Sequence, residues 1–519
     1  MNTLFQTFSQ TLHLDFKRER FLFLSLLGVL SIFCAILIFF SPLKTLALFV
    51  AVLLVFAAVI KPHYVVFILA VYTPFEPFLL KFVPDEIYVF ARYGLEGLIY
   101  LLALVVLWRV LIGQGSLKKT AIGLPFVLFL IVLVVSASIN FISLESSVLG
   151  IRQIVRFIIL YLVIVNLRLD TKFIKKLVYI MLALVVIQSL IGISQYLSDG
   201  RLDSFLLPSA KKQYGTLLLT SGTDQFWAEG QRVFATMGRY DQLGTFLAFF
   251  GLLAVGLLYQ NKKFQKQNKL LIVLTLGIIC LLLTYSRASW FGFALGLLLI
   301  GAFIKRDKKV ILGFVFLILV FFFYLIGSGL LVHRLTDQPE TSLAERFYEA
   351  FSYERWRGEY YGLGRLYFIV QTPLKVVSTY PLFGVGPGSY GGGAAASLHN
   401  TEVYEELGLP FGIFGNSGHI DNNWMSLWGE TGTLGLIIYV WMLLAIYIFV
   451  YKVFKLSNSK FTKGLSLGFL GALLAVTFQA FLGTYFEVRT LGLYLWLIAG
   501  LITVLAYQEG LTKKIWKQS

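Results

Sequence analysis

Long apolar runs follow one another almost without interruption, and they constrain the fold of this chain more than any other feature. A helix needs roughly 20 mostly apolar residues to cross the hydrocarbon core of a bilayer. The 519 residues are 58% hydrophobic and only 14% charged, which excludes a soluble globular domain. We predict an all-α, polytopic membrane protein with about fourteen transmembrane helices, placed near 21–40, 44–60, 63–80, 90–112, 121–143, 153–167, 174–197, 241–259, 269–285, 287–304, 310–330, 432–451, 464–484 and 490–507.

Clusters of lysine and arginine occupy alternate gaps between these segments. An excess of positive charge is typical of cytoplasmic loops, and it explains the net charge of +17 without a nucleic-acid-binding face. We therefore expect a multi-pass protein of the cytoplasmic (inner) membrane with both termini in the cytoplasm. The first segment is interpreted as an anchor and not as a cleaved signal peptide. The basic gaps include Lys61, Arg109, Lys118, Lys119, Arg168, Lys172, Lys262, Lys263, Lys305, Arg306, Lys452, Lys455, Lys513 and Lys514.

This topology places two long segments, 198–240 and 331–431, on the outer side of the membrane. The outer side carries an unusual set of arginines. Arginine stays charged near lipid and presents a planar fork of donors that suits phosphate oxygens. The set predicts an anionic ligand, for which a diphosphate on a lipid is an obvious candidate. Its members are Arg152 and Arg156 at the end of the sixth segment, Arg232 and Arg239 in the first loop, Arg287 in a tight turn, and Arg334, Arg346, Arg355, Arg357 and Arg365 in the second loop.

Some of these arginines have a simpler interpretation. Arg152 and Arg156 lie at a helix end, where arginine side chains commonly extend to lipid headgroups. The arginines of 345–365 alternate with glutamates at helical spacing, which favours a salt-bridged surface helix. Arg287 has no such explanation, because a turn between two membrane helices needs no charge. We therefore interpret Arg287 as functional.

A polar cluster adjoins an apolar segment in SGHIDNNWMSLWGETGTLGL, residues 417–436. Ionisable groups near lipid are costly unless they face protein or water, so His419, Asp421, Asn422 and Glu430 are candidates for chemistry. Asp421 and Asn422 would equally suit a helix N-cap, and a cap does not exclude catalysis.

Other patterns give weaker indications. The glycine-rich segment FGVGPGSYGGG, residues 383–393, lacks the lysine of a P-loop and is interpreted as a flexible turn. The two cysteines, Cys34 and Cys280, are isolated in apolar runs, so they predict neither a disulfide nor a metal site.

Three motifs in order resemble those of the O-antigen ligase and polymerase family of bacterial membrane glycosyltransferases. These are RVFATMGRYDQLGTFLAFF, LTYSRASWFGFALGLLL, and PLFGVGPGSY followed by DNNWMSLWGETGTLGL. The resemblance covers roughly residues 230–450. Ligases of this family have His-Asn, nine residues, and then Gly-x-x-Gly. Here Asn422, Gly432 and Gly435 fit that pattern, Asp421 stands at the histidine position, and His419 lies just before it.

The resemblance implies a GT-C-like helical fold and transfer of a glycan from an undecaprenyl-diphosphate-type carrier to an acceptor hydroxyl, without a metal or another cofactor. The acceptor would be a glycan, a lipid or a protein. The implied catalytic residues are Asp421 as the base, with Arg287 and Arg232 offsetting the charge of the diphosphate. The residues implied to bind substrate are Arg239, His419, Asn422, Arg152 and Arg156.

These expectations divide the chain into three parts. Residues 1–229 hold the N-terminal helices and first outer loop, 230–450 the family-like core with outer loop 331–431, and 451–519 the last helices and a cytoplasmic tail. Two other functions fit the same composition. One is a transporter or flippase for a lipid-linked glycan or another anion, and the other is a non-catalytic scaffold in an envelope-synthesis complex.

Overall fold

The computed structural model describes residues 28, 31, 35, 41–208, 212–214, 217–220, 229–260, 264–327 and 353–517. Within these residues, ten helices are long and apolar enough to cross a membrane. The predicted all-helical, multi-pass fold is therefore confirmed, whereas the predicted count of about fourteen spans is not. The first predicted segment, 21–40, lies almost wholly outside the described residues. Each later predicted segment overlaps a helix, and the segment 63–80 is divided into two helices by a 3₁₀ turn.

The described residues form two compact units, and those of the first lie within 1–70 and 82–116. It contains α1 (Pro42–Ile60), most of α2 (Pro62–Tyr72) and α4 (Asp85–Leu111). Helices α1 and α4 pack against each other. Their contact is fixed near one end by a hydrogen bond from Ser41 Oγ to Glu86 (3.2 Å) and near the other by one from Arg109 to the carbonyl of Val59 (2.8 Å).

The described residues of the second unit lie within 71–81 and 117–519. It begins with a 3₁₀ turn (Thr73–Phe75) and α3 (Glu76–Leu80), which form the interruption that the prolines predict. A short antiparallel hairpin of two strands lies among the helices and was not predicted. The remaining elements are α5 (Gly123–Ile139), α6 (Leu144–Asn166), α7 (Thr171–Leu197), α8 (Asp203–Leu206), β1 (Lys212–Tyr214), β2 (Leu217–Thr220), α9 (Tyr240–Leu258), α10 (Phe264–Leu283), α11 (Arg287–Leu298, continued by a π-helical turn Leu299–Ile304), α12 (Lys308–Gly327), α13 (Tyr353–Tyr361), α14 (Arg365–Gln371, continued by a π-helical turn Thr372–Val377), α15 (Gly393–Leu398), α16 (Glu402–Glu406), a 3₁₀ turn (Ile413–Gly415), α17 (Asn423–Leu456), α18 (Lys460–Gln479), α19 (Arg489–Gln508) and α20 (Leu511–Lys517).

Helices α9, α18 and α19 form the centre of the second unit. Their most apolar windows are 83%, 72% and 94% buried within the protein. A Cβ atom added to Gly256 of α9 would lie only 2.2 Å from the backbone nitrogen of Gly468 of α18. Small residues at such crossings let helix backbones approach closely in a membrane. The centre therefore supports the start of α9, which Arg239 directly precedes.

Helix α17 is bent at Gly432, whose φ of 66° is left-handed. The bend frees backbone groups of the helix, and the segment 381–386 binds them, for example where the amide of Thr433 donates to the carbonyl of Pro381 (2.9 Å). A Cβ atom at position 432 would lie 2.3 Å from the carbonyl oxygen of Leu382. The glycine at the start of the Gly-x-x-Gly motif is thus required for both its φ angle and its space.

Gly432→Ala should destabilise the protein, because alanine meets both a strained φ and a rigid backbone neighbour. The strain alone costs about 1–3 kcal/mol. Gly94→Ala is the matched control, since Gly94 lies within α4 and has no atom within 4 Å of its added Cβ. Thermal aggregation of the purified variants in detergent measures the difference. Equal melting temperatures for Gly432→Ala and the unsubstituted protein would show that the bend tolerates a side chain.

Candidate functional site

Buried polar side chains of α7 hold the segment 232–239, which leads into α9. Gln195 accepts hydrogen bonds from two backbone amides of this segment at 2.9 and 3.0 Å. Gln188 donates to the hydroxyl of Thr236 at 2.7 Å. Within this segment, Ala235 has a left-handed φ of 49°. A non-glycine residue keeps such a conformation only where its surroundings enforce it. The segment is therefore fixed, and so are the two arginines at its ends.

The two arginines have different surroundings. The guanidinium of Arg232 lies over the ring of Tyr240, 4.2 Å from its centroid, which is a cation–π geometry. Arg239, the residue before α9, donates from Nε and Nη2 to the two carboxylate oxygens of Asp241, at 3.0 and 3.1 Å. Asp241 raises the pKa of Arg239 first of all, and Asp421 raises it further against the opposing effect of burial. Arg239 thus lies within electrostatic range of Asp421.

Asn422, and not Asp421, is the cap of α17. Its Oδ1 accepts a hydrogen bond from the amide of Met425 at 3.1 Å, and its Nδ2 donates to the carbonyl of Phe481 at 3.1 Å. The residue is fully buried. The structure thus gives Asn422 the role of a positioning residue, and its predicted contact with substrate stays a prediction.

Asp421 directs its carboxylate away from the helix cap. Its φ of 48° is left-handed, and its side chain is 29% exposed. The Oδ2 atom lies 3.5 Å from an Nη2 donor of Arg365. The carboxylate is therefore accessible, oriented by a strained backbone and placed among positive charges, as a base that must reach a substrate would need to be.

His419 lies beside Asp421, within range of its charge and that of Arg239. Burial lowers the pKa of the His419 imidazole, and Arg239 lowers it further, while Asp421 opposes this shift. The imidazole is therefore neutral at pH 7. Its Nδ1 is buried and makes no hydrogen bond within the described part of the chain. Neutral His419 is chemically able to accept a proton, so it remains the alternative base.

Arg287 is the first residue of α11 and lies in a tight turn after α10, as predicted. Tyr285, two residues before Arg287, has a left-handed φ of 51°. The indole of Trp290 donates to the carbonyl of Leu281 at 2.8 Å and closes the turn. The start of α11 also packs on α9, because a Cβ added to Gly244 would lie 2.7 Å from the hydroxyl oxygen of Ser289. These contacts fix Arg287 at the start of its helix.

The end of α18 connects the starts of two other helices. Gln479 donates to the carbonyl of Ala288 in the first turn of α11 at 3.3 Å. Two residues later, the carbonyl of Phe481 accepts the hydrogen bond from Asn422 at the start of α17. Helix N-termini carry partial positive charge from unpaired amides. The arrangement therefore adds helix dipoles to the charge of the arginines, and both favour an anion.

Arg156 belongs to a second polar cluster. It is buried within α6 and donates to the carbonyl of Glu487 at 2.7 Å. The Glu487 carboxylate accepts from the amide of Gly393 at 3.1 Å and from Asn423 Nδ2 at 3.0 Å, and it also binds Gln153. Burial raises the pKa of Glu487. Arg156 therefore does not extend to lipid headgroups, and the cluster ties α6 to the start of α17. Arg152 lies one turn earlier on the same helix.

Three residues of this region were not predicted as site residues. Arg365 was interpreted as part of a salt-bridged surface helix, yet it contacts Asp421. Asp241 binds Arg239, and the close spacing of the two in the sequence was a usable signal. Tyr485 is buried near Arg365 and Arg239, and burial raises its pKa well above the ordinary value. Nothing in the local sequence marks Tyr485.

The aromatic residues of this region include buried and exposed side chains. Trp424 is buried and packs against Phe481 (ring centroids 5.5 Å apart). Trp356 and Tyr361 of α13 are exposed. Within the described part of the chain, no histidine, cysteine, aspartate and glutamate side chains form a group of three or more that could hold a metal ion.

Comparison with known proteins agrees with these observations. No curated protein matches the chain. Residues 270–440 match the family model described as O-antigen ligase, and this range contains Arg287, Arg365, His419 and Asp421. Two of the three motifs that resembled this family lie within the matched range, and the first, residues 232–250, precedes it. Residues 270–440 of this multi-pass membrane protein thus form a domain of the O-antigen ligase family, and for these residues the predicted assignment to the O-antigen ligase and polymerase family is confirmed.

Proposed function

We propose that this protein transfers a glycan from an undecaprenyl-diphosphate-type carrier to an acceptor hydroxyl at the outer face of the membrane, in the synthesis of a surface polysaccharide. The observation that carries the proposal is the position of Asp421. Its carboxylate is accessible next to Arg365 and within range of the charge of Arg239. The start of a helix beside it is fixed by Asn422.

The reaction is a displacement at the anomeric carbon of the donor sugar. The Asp421 carboxylate accepts the proton of the acceptor hydroxyl as the acceptor oxygen bonds to that carbon. The bond from the anomeric carbon to the diphosphate oxygen breaks, and the lipid diphosphate leaves with the electron pair. Every atom is accounted for by the elongated glycan, the lipid diphosphate and the protonated carboxylate, which then returns its proton to solvent.

Positive charge supports departure of the diphosphate. Arg287 lies at the N-terminus of α11, where the helix dipole adds to its charge. Arg232 and Arg239 flank one fixed segment that leads into α9. Such fixed donors stabilise charge that develops on a leaving group without reorganising during the reaction. This set supports a metal-independent transfer, with Arg287 and Arg232 acting on the diphosphate and Arg239 and His419 binding substrate. Arg152 and Arg156 would support the site from α6.

Purified protein and a lipid-linked donor with labelled sugar test this function against transport. Release of lipid diphosphate together with an elongated glycan is the expected result. Movement of the label across a proteoliposome membrane without bond cleavage would identify a carrier instead. Glycan from cells that lack the protein separates the two enzyme subtypes, because single-repeat chains indicate a polymerase and unattached polymer indicates a ligase.

The orientation of the chain gives a separate prediction. Asn416 is exposed in the second loop and Lys514 is exposed after the last long helix. In a chain whose Cys34 and Cys280 are replaced by alanine, Asn416→Cys should react with a membrane-impermeant thiol reagent in intact spheroplasts. Lys514→Cys should react only after permeabilisation. The opposite pattern would place the site on the cytoplasmic face and contradict the proposed topology.

A further inference from the structure

Arg365 and Asp421 form an ion pair that differs from its neighbour. The pair between Arg239 and Asp241 is bidentate, at 3.0 and 3.1 Å. The pair between Arg365 and Asp421 has a single contact of 3.5 Å. Both pairs are partly exposed: the side chains of Arg365 and Asp421 are 32% and 29% exposed, and those of Arg239 and Asp241 are 41% and 16% exposed. Charge-assisted hydrogen bonds are normally about 2.7–2.9 Å long. The contact of Arg365 is therefore long, accessible to solvent and easily exchanged.

The backbone presents Arg365 to this site. It is the first residue of α14, and the preceding turn includes Leu363 with a left-handed φ of 58°. The carbonyl of Leu363 accepts a hydrogen bond from the amide of Phe414 at 3.1 Å. This bond ties the turn to the segment that leads to Asp421. Arg365 is thus held near the carboxylate by its backbone, while its side chain contact remains loose.

While Arg365 contacts Oδ2 of Asp421, that oxygen is occupied and less open to the proton of an acceptor hydroxyl. A diphosphate carries more negative charge than a carboxylate and offers more acceptor oxygens to a guanidinium. If both compete for Arg365, the diphosphate is favoured. The occupancy of the site by donor would then decide whether Asp421 is paired or free.

We propose that Arg365 is an exchangeable clamp that holds Asp421 in the empty site and moves to the diphosphate when a lipid diphosphate binds. This inference rests on the proposed function and adds a residue and a sequence of contacts to it. Asp421 is therefore free to accept the proton of the acceptor hydroxyl only when the donor is bound. Arg365 is a binding residue for the donor, and for Asp421 it is a positioning residue.

Competition for Arg365 predicts opposite effects of two substitutions on binding of undecaprenyl diphosphate, a donor analogue without sugar. Arg365→Gln should raise its dissociation constant at least about fivefold. Asp421→Asn should lower the dissociation constant, because a neutral amide competes poorly for the guanidinium. In the double variant the gain from Asp421→Asn should largely disappear. A gain due only to reduced repulsion of the anion would persist in the Arg365→Gln background.

Binding is measured by thermophoresis with the full-length protein in detergent, with melting temperature as the check of folding. Arg357→Gln is the matched control, since Arg357 is exposed on the neighbouring helix α13, and it should bind like the unsubstituted protein. Should Arg365→Gln fail to fold, Arg365→Lys keeps the charge but not the fork and should weaken binding less. Equal gains from Asp421→Asn in both backgrounds would overturn the clamp alone. An unsubstituted protein that binds no undecaprenyl diphosphate would overturn both the clamp and the proposed donor.

Discussion

Replacing Asp421 with asparagine should lower the rate of glycan transfer by about 10²- to 10⁴-fold, the usual contribution of a general base. Asparagine keeps the size of the side chain and tolerates the left-handed φ of 48° at this position. Because Asn422 and not Asp421 caps α17, the substitution leaves the helix start intact. The expected loss therefore reports on the carboxylate and not on folding. With saturating substrate, His419→Gln should keep most of the activity, because we assign His419 to substrate binding and not to proton transfer.

The comparison is made in membranes with matched protein levels, with a labelled lipid-linked donor. His419 is the stronger base by intrinsic pKa, near 6.5 against about 3.9 for aspartate, and burial keeps it neutral. Position favours Asp421, which lies beside the arginines and in register with Gly432. An inactive His419→Gln beside an active Asp421→Asn would transfer the role of base to His419. If both Asp421→Asn and His419→Gln are active, neither residue is the catalytic base, and the protein is better explained as a carrier.

The helices could be predicted from the sequence because each apolar run carries its own signal. The cost of exposing backbone groups to lipid makes such a run helical wherever it crosses the membrane. The turn before Arg287 was predicted for the same reason, since it separates two such runs. The interruption at Thr73–Phe75 also has a local cause in its prolines. For these elements the tertiary structure adds packing without changing the local conformation.

The contacts of the site could not be predicted in this way. Arg365 and Asp421 are 56 residues apart. The glutamates around Arg365 suggested a surface helix, because spacing within one helix reveals only local partners. Glu487 reaches Asn423 across 64 residues of sequence. Such pairs depend on the packing of separate helices, about which hydropathy carries no information.

The glycine-rich segment 383–393 shows how a local signal can be misleading. It was interpreted as a flexible turn, but it is largely buried against α6 and α17. The carboxylate of Glu430 accepts a hydrogen bond from the amide of Gly388 at 2.9 Å. A Cβ added to Gly388 would lie 2.5 Å from the carbonyl of Ser146. The glycines thus serve close approach to other backbones, and Glu430, a candidate for chemistry, holds this segment in place.

Arg287→Ala should reduce the rate of transfer by about 10²- to 10³-fold, as expected when one donor to a developing charge is lost. Arg287→Lys should lose much of this activity as well. Lysine keeps the charge but presents a single ammonium in place of a planar fork that binds two phosphate oxygens at once. The turn that carries Arg287 is fixed by the hydrogen bond of the Trp290 indole and by the packing of Ser289 on Gly244. The backbone therefore does not shift to bring the lysine ammonium closer to the phosphate oxygens.

The matched control lies just beyond the other end of the same long helix. Arg306 is exposed there in a basic gap that we place on the cytoplasmic side, and Arg306→Lys makes the same chemical change away from the site. Both lysine variants are assayed with saturating donor and with donor well below its KM. Loss of a contact that forms mainly as the diphosphate departs lowers kcat, whereas loss of a simple binding contact raises KM and leaves kcat unchanged. We expect Arg287→Lys to lower kcat and Arg306→Lys to change neither value.

Near-normal turnover by Arg287→Ala at normal expression would show that Arg287 takes no part in the reaction. The diphosphate would then have to be bound by the arginines around Asp421.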